Sequence, residues 1–154
     1  MPRAATTHLS IVDAAGNVVS MTTSIESGFG SLQMVGGFLL NNQLTDFSSL
    51  PHDAHGRPVA NRVAPGKRPR STMAPTIVLD PGGRPVAALG SPGGPPIAAY
   101  VTKTLVGLID RGLTIQQAID APNYVAGLGP GAFLERGTPV AALADGLRGL
   151  GHRV

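Results

Sequence analysis

The chain contains no cysteine, which excludes disulfides, thiolate metal sites and a cysteine nucleophile and leaves the redox compartment undetermined. Tryptophan is absent and aromatic residues reach only 4%, too few to build a stacking platform for single-stranded nucleic acid. The net charge of +3 and a pI near 10.0 would suit a basic binding module. That charge comes mostly from arginines in loops, however, and no nucleic-acid partner is expected. No apolar run approaches the ~20 residues that span a bilayer, and Met1 to Ala5 is too short and too polar for a signal peptide. His8, His52, His55 and His152 show no metal-ligand spacing, so neither a metal nor a cofactor is expected. A Walker A loop and a GxSxG nucleophile elbow are also missing.

What is present in quantity is turn-forming backbone. The 21 glycines and 14 prolines among 154 residues mean that long uninterrupted helices cannot dominate, while 42% hydrophobic residues argue against wholesale disorder. This length fits one domain that buries roughly 68 to 70% of the surface its unfolded chain exposes. His8 to Val12 and Val18 to Ser24 alternate across a turn at Asp13 to Asn17, which predicts a hairpin. Glu26 to Gly37 reads as a glycine-rich loop, followed by a short buried strand over Phe38 to Leu40 that ends at Asn41. Ser48 to Arg70, with Pro51, Pro58, Pro65 and Pro69 and no apolar period, reads as a long surface loop.

A second hairpin is expected over Thr76 to Leu79 and Val86 to Leu89, with both arms buried. Ile97, Val101, Leu105 and Leu108 recur at helical spacing, so Ile97 to Arg111 is predicted helical and closed by Gly112. Thr114 should cap a short helix through Ala121, and another helix should run from Thr138, with Pro139 at its first position, to about Leu150. His152 to Val154 looks like the start of a strand that the chain leaves unpartnered. This order of elements suits an α+β layered fold.

Several residues are suited to chemistry. A threonine hydroxyl is a poor nucleophile until a base takes its proton, and a free α-amine on the same residue can be that base because it titrates near ~7.7 to 8. Gly90, Ser91, Pro92, Gly93, Gly94 lies between a strand and a helix, where bare backbone amides can meet developing negative charge. Gln43 and Asp46 pair an amide acceptor with a carboxylate, as recognition of an ammonium group requires. Ser71 and Thr72 offer hydroxyl donors to an anion. Each group also has a plainer reading, as strand threonines, a tight strand-to-helix turn, a strand-end turn and a solvated basic loop.

Taken in order, the pieces Thr6-Thr7-His8, Asn41 to Phe47, Lys67 to Thr72 and Gly90 to Gly94 resemble the small subunit of gamma-glutamyltranspeptidases, across nearly the whole chain. The resemblance implies an N-terminal-nucleophile hydrolase with an αββα sandwich, present here only in part. It implies that the precursor cuts itself before Thr6, so that 1–5 is a leader and 6–154 a partial small subunit, with the large subunit of the precursor as an absent partner. Thr6 would then be the nucleophile, Ser24 a hydroxyl supporting it, and Gly93 and Gly94 the oxyanion hole. Gln43 and Asp46 would hold the substrate α-amino group, and Ser71 and Thr72 its carboxylate. Glu26 stands where many members have Asn, which adds attraction for an amine and repulsion for a carboxylate.

The implied substrate is a small γ-glutamyl amide such as glutathione, attacked by Thr6 to give a γ-glutamyl ester that passes to water or an amino acid. The isolated chain is expected to be inactive. Alternatives are an acylase on the same scaffold, resembling those that act on cephalosporin side chains, and a non-catalytic remnant. The compartment stays open, although bacterial members are often periplasmic or secreted.

Overall fold

The computed structural model describes residues 6–126 and 131–154, so the expected leader 1–5 lies outside the described residues. β1 (Thr6–Val12) and β2 (Val18–Ser24) form the predicted hairpin, in the register Thr6 to Ser24, His8 to Thr22 and Ser10 to Ser20. β3 (Met34–Val35) and β4 (Phe38–Leu39) make a two-residue ladder. β5 (Thr76–Leu79) and β6 (Pro85–Leu89) form the second long hairpin, and β7 (Tyr124–Ala126) pairs with β8 (Ala132–Leu134). Among the described residues the strands pair as four separate two-stranded sheets. The first and third hairpins lie side by side, with the Ser20 hydroxyl donating to the Leu89 carbonyl at 3.0 Å.

One turn chemistry is used three times. Asp13, Asp53 and Asp80 each begin a five-residue turn whose fourth residue is glycine: Gly16, Gly56 and Gly83, at φ of 85°, 74° and 83°. In each, the aspartate Oδ1 accepts the N–H groups two and four residues on, at 2.8 to 3.0 Å. The side chain of the fifth residue, Asn17, Arg57 or Arg84, donates to Oδ2. Glycine is needed because only it takes a left-handed φ without steric cost. The middle copy lies inside 48–70, with a bridge from His52 to Pro58 across it. That stretch is therefore not the featureless loop its composition suggests.

α1 (Ile97–Ile109) covers the β5–β6 hairpin and supplies most of the core. Leu89, Ile97 and Val101 are buried together, with Met73, Ala74, Val78 and Leu105 packed around them. Burial of each such side chain is worth about 1.5 to 3 kcal/mol. α1 ends at Ile109, short of the predicted Arg111, and Gly112 turns the chain at φ 61°. α2 (Ile115–Asp120) opens with the capping box of Thr114 and Gln117 and docks its fully buried Ala118 on Gly107 of α1. The Lys103 ammonium donates to the Ile119 and Ala121 carbonyls at the end of α2, 3.0 and 2.7 Å away, where a helix end favours a cation.

Four expectations need correction. The β5–β6 hairpin is buried on one face only, since Ile77, Leu79 and Val86 are exposed. The strand ending at Asn41 is not buried either, because Phe38 is 64% exposed. Instead of one helix from Thr138, a 3₁₀ turn (Pro139–Leu143) precedes a short α3 (Ala144–Gly149). His152 to Val154 makes a single parallel bridge, Arg153 to Gly131, rather than a strand. Among the described residues no helix is long and apolar enough to cross a membrane.

Candidate active site

The polarity of the first hairpin is inverted relative to a free-standing one. Cross-strand partners share a face, so Thr6, His8 and Ser10 stand beside Ser24, Thr22 and Ser20. Val18, Ser20, Thr22 and Ser24, on that same polar face, are half-buried, while the apolar face carries exposed Ile11, Val19 and Met21. The hydroxyl-rich face turns inward, toward the start of the Gly90–Gly94 segment.

Thr6 and Ser24 are the last pair of the hairpin, with Thr6 Oγ1 and Ser24 Oγ 3.0 Å apart. Ser24 Oγ also accepts the Glu26 N–H at 2.9 Å. Glu26 adopts φ 70°, and Phe29 and Leu32 follow at 63° and 62°; among the described residues these are the non-glycine residues in the left-handed region. Such a backbone costs of order 1 to 3 kcal/mol per residue and clusters at functional loops. Gly30 closes this loop against Leu40, where a β-carbon would stand 2.0 Å from the carbonyl oxygen.

Asn42 holds the loop together from the other side. Its Oδ1 accepts from the Ser27 amide and hydroxyl at 3.1 and 3.0 Å, and its Nδ2 donates to Glu26 Oε2 at 2.9 Å and to Thr45 Oγ1 at 3.2 Å. Gln43 and Asp46 lie on a single 3₁₀ turn (Gln43–Asp46), and the Gln43 amide donates to the Asp46 carboxylate. The Gln43 Oε1 and the second Asp46 oxygen are acceptors, which suits an ammonium group. Asn61 then joins this turn to the basic segment, donating to the Asp46 carbonyl at 2.6 Å and accepting the Arg70 N–H at 3.0 Å.

Next along, the Ser71 hydroxyl accepts the Met73 N–H at 3.1 Å, and Thr72 Oγ1 donates to the Gly94 carbonyl at 2.8 Å. Gly93 and Gly94 sit at φ 137° and 68°, and a β-carbon on Gly93 would press within 2.9 Å of the Tyr100 ring. Among the described residues their N–H groups have no hydrogen-bond partner. Pro95 and Pro96 precede α1, so the first turn carries fewer orphan donors and the two glycine amides are what the turn offers. His8 closes the circuit, its ring lying against Gly90.

The predicted residues thus fall into one ring of contacts, running from Thr6 through Ser24, Glu26, Asn42, the Gln43–Asp46 pair, Asn61, Arg70 to Thr72 and Gly94, then back through Gly90 and His8. Asn42, read from sequence only as shaping the strand-end turn, does so through the bonds given above. Two members went unrecognised: Asn61 is one polar residue within a proline-rich stretch, and His8 reads as an ordinary strand residue. Burial holds the His8 pKa below its usual 6.5, which favours the neutral ring. A cavity of about 420 Å³ behind the glycine turn, lined by Gly90, Ser91, Tyr100, Lys103 and Asn123, is touched by none of the predicted catalytic residues. Among the described residues no group of three or more His, Asp or Glu side chains is placed to hold a metal ion.

Comparison with known proteins places this geometry in context. The family model described as Gamma-glutamyltranspeptidase matches residues 1–154. The glutathione hydrolase proenzyme of Bacillus subtilis is 40% identical over 150 residues, covering 96% of this chain and 24% of that protein. The acylase ACY 1 proenzyme of a Pseudomonas species is also 40% identical, covering 97% of this chain and 25% of that protein. Among solved structures, an acivicin-inhibited gamma-glutamyltranspeptidase superposes with a TM-score of 0.81 at 36% identity, covering 96% of this chain and 81% of that one. The Bacillus anthracis transpeptidase CapD follows at 0.66 and 27%, covering 96% and 76%. The chain spans about a quarter of the length of these two proenzymes, and corresponds to their small-subunit portion.

Proposed function

Because the chain belongs to the gamma-glutamyltranspeptidase family, a family of enzymes, we propose that it is the catalytic small-subunit part of an N-terminal-nucleophile hydrolase in which Thr6 attacks γ-glutamyl amides. The observation that carries this reading is the 3.0 Å pair of Thr6 Oγ1 and Ser24 Oγ at the start of β1, with the Gly90–Gly94 turn joined to the same strand through His8. Cleavage before Thr6 frees its α-amine, which takes the proton from its own side-chain oxygen as that oxygen attacks the γ-carbonyl. Ser24 holds the hydroxyl in place, and the Gly93 and Gly94 amides meet the negative charge on the tetrahedral oxygen. The amine leaves with a proton returned from the α-ammonium. Water or an amino acid then takes the γ-glutamyl group from the ester by the same route.

Gln43, Asp46 and Glu26 supply acceptors for the substrate ammonium, while the Ser71 hydroxyl, whose proton has no partner among the described residues, donates to its carboxylate, and Thr72 gives its proton to the Gly94 carbonyl until the substrate carboxylate competes for it. The exposed apolar side of the first hairpin supports a further partner: Ile11, Val19 and Met21 would be covered by the large subunit, completing the αββα sandwich. The leader 1–5 is then the junction with that subunit. A second reading, an acylase on the same scaffold, is favoured by Glu26 together with the 40% identity to an acylase proenzyme.

Coexpression with a large subunit, N-terminal sequencing and assays on γ-glutamyl and glutaryl anilides test both. The account expects a chain beginning at Thr6 that prefers the γ-glutamyl substrate. Full activity with Ala5 still attached would overturn the mechanism, and a preference for glutaryl amides would favour the acylase.

A further inference from the structure

The oxyanion turn and the nucleophile belong to different hairpins, and something must fix their separation. Two contacts join the hairpins at the right place: Ser20 Oγ on the Leu89 carbonyl at 3.0 Å, and His8 on Gly90. The second depends on glycine. A β-carbon built on Gly90 would lie 2.2 Å from both Cε1 and Nδ1 of the His8 ring, and 2.8 Å from Cγ. The imidazole therefore occupies the space in which any other residue at position 90 would carry its side chain.

The ring cannot easily turn away. His8 Nδ1 is 2.9 Å from Thr22 Oγ1, its cross-strand partner, and Nε2 is 3.1 Å from Ser10 Oγ, two residues on along the same face. A neutral imidazole donates through one nitrogen and accepts through the other, and each hydroxyl can take either role. Both ring nitrogens are thus pinned to the hairpin that begins with Thr6, while the Cγ–Nδ1–Cε1 side of the ring bears on the first glycine of the turn that ends with Gly93 and Gly94.

We propose that His8 is a positioning residue: pinned by Thr22 and Ser10 and seated in the slot left by Gly90, it sets the distance between the Thr6 hydroxyl and the Gly93 and Gly94 amides. This rests on the nucleophile reading above. Thr6 lies two residues from His8 on the same face of the strand, and Gly93 three residues beyond Gly90, so displacement at the contact moves attacking oxygen and oxyanion donors relative to each other. Misplacement by about 1 Å is enough to cost roughly 100-fold in rate.

The test is a double-mutant cycle of Gly90→Ala and His8→Ala in the processed enzyme, this chain assembled with its large subunit. Gly90→Ala should lower kcat roughly 100-fold with KM within about threefold, because the loss falls on the transition state. In the His8→Ala background the vacated space admits the new methyl group, and the penalty of Gly90→Ala should shrink at least about tenfold. Equal penalties in both backgrounds would overturn the proposal. Should Gly90→Ala lower the yield, the same cycle read as Tm keeps the contact testable, since a steric clash relieved by His8→Ala must appear there and strict additivity would again refute it. Thr6→Ala, assayed alongside, separates the two ideas: if it stays active the nucleophile reading fails, whereas the coupling between positions 8 and 90 stands or falls by itself.

Discussion

Ser24→Ala tests the site at its narrowest point. The serine oxygen has two partners, Thr6 Oγ1 at 3.0 Å and the Glu26 N–H at 2.9 Å. Alanine removes both bonds while leaving the strand intact. The half-buried Glu26 amide then lacks its acceptor, at a cost of about 1 to 3 kcal/mol. Its φ of 70°, itself a strain of order 1 to 3 kcal/mol, loses the tie that holds it. A loss of about 2 kcal/mol in stability follows, visible as a lower Tm. The Thr6 hydroxyl also loses the neighbour that aims it, and at about 1.4 kcal/mol per tenfold a loss of 1.5 to 3 kcal/mol lowers kcat roughly 10- to 100-fold. Ser24→Thr keeps the oxygen and should stay within about threefold. The assay is steady-state cleavage of a γ-glutamyl anilide by the assembled enzyme, with thermal melts of the same samples. If Ser24→Ala kept wild-type kcat while its melting temperature fell, the hydroxyl pair would be structural and the catalytic reasoning refuted.

Other outcomes follow from the geometry. Gly30→Ala, which would place a β-carbon 2.0 Å from the Leu40 carbonyl oxygen at φ 54°, should destabilise by more than about 2 kcal/mol in chemical denaturation, and an unchanged midpoint would contradict the close approach. Asp13, Asp53 and Asp80 have pKa values lowered chiefly by hydrogen bonds, from Asn17, Arg57 and Arg84 respectively. Their contribution to stability is therefore full above the ordinary value of 3.8 and lost as pH falls through the lowered values, and replacing all three by Asn should flatten the acid limb of a Tm-against-pH curve. His8 shows the same sign in a higher window: its lowered pKa makes the folded form more stable above 6.5 and less so as pH falls, a slope that His8→Asn should remove. Val19→Asp, on an exposed apolar face, should leave the fold of the isolated chain unchanged yet abolish association with the large subunit in a pull-down, and unimpaired association would remove that face from the interface.

Local chemistry was readable wherever neighbours in sequence do the work. The β1–β2 hairpin, the Thr114 cap, the turn at Gly112 and the α1 stripe of Ile97, Val101 and Leu105 follow from alternation, capping and helical period. Long-range consequences were not. Alternation in β1 and β2 says that one face is polar and one apolar, but not that the polar face turns inward, because that depends on contacts to Leu89 and Gly90 far along the chain. Phe38, Leu79 and Val86 are exposed where apolar runs suggested burial, because a short apolar run does not say which of its faces meets the core. The turn inside 48–70 was legible in principle, since Asp53 to Arg57 repeats the pattern of Asp80 to Arg84, yet the prolines around it masked the likeness. His8 could not be recognised at all, because its meaning lies in a glycine far along the chain that makes room for its ring.

The most direct test of the central claim is to find the atom that carries the acyl group. The assembled enzyme, mixed with excess γ-glutamyl anilide and quenched in acid within one turnover, is digested and its peptides mapped by mass spectrometry. The account predicts one added γ-glutamyl group on the peptide beginning at Thr6, located on the threonine side chain and absent after Thr6→Ala. An acyl group on any other residue, or normal turnover with none on Thr6, would contradict it.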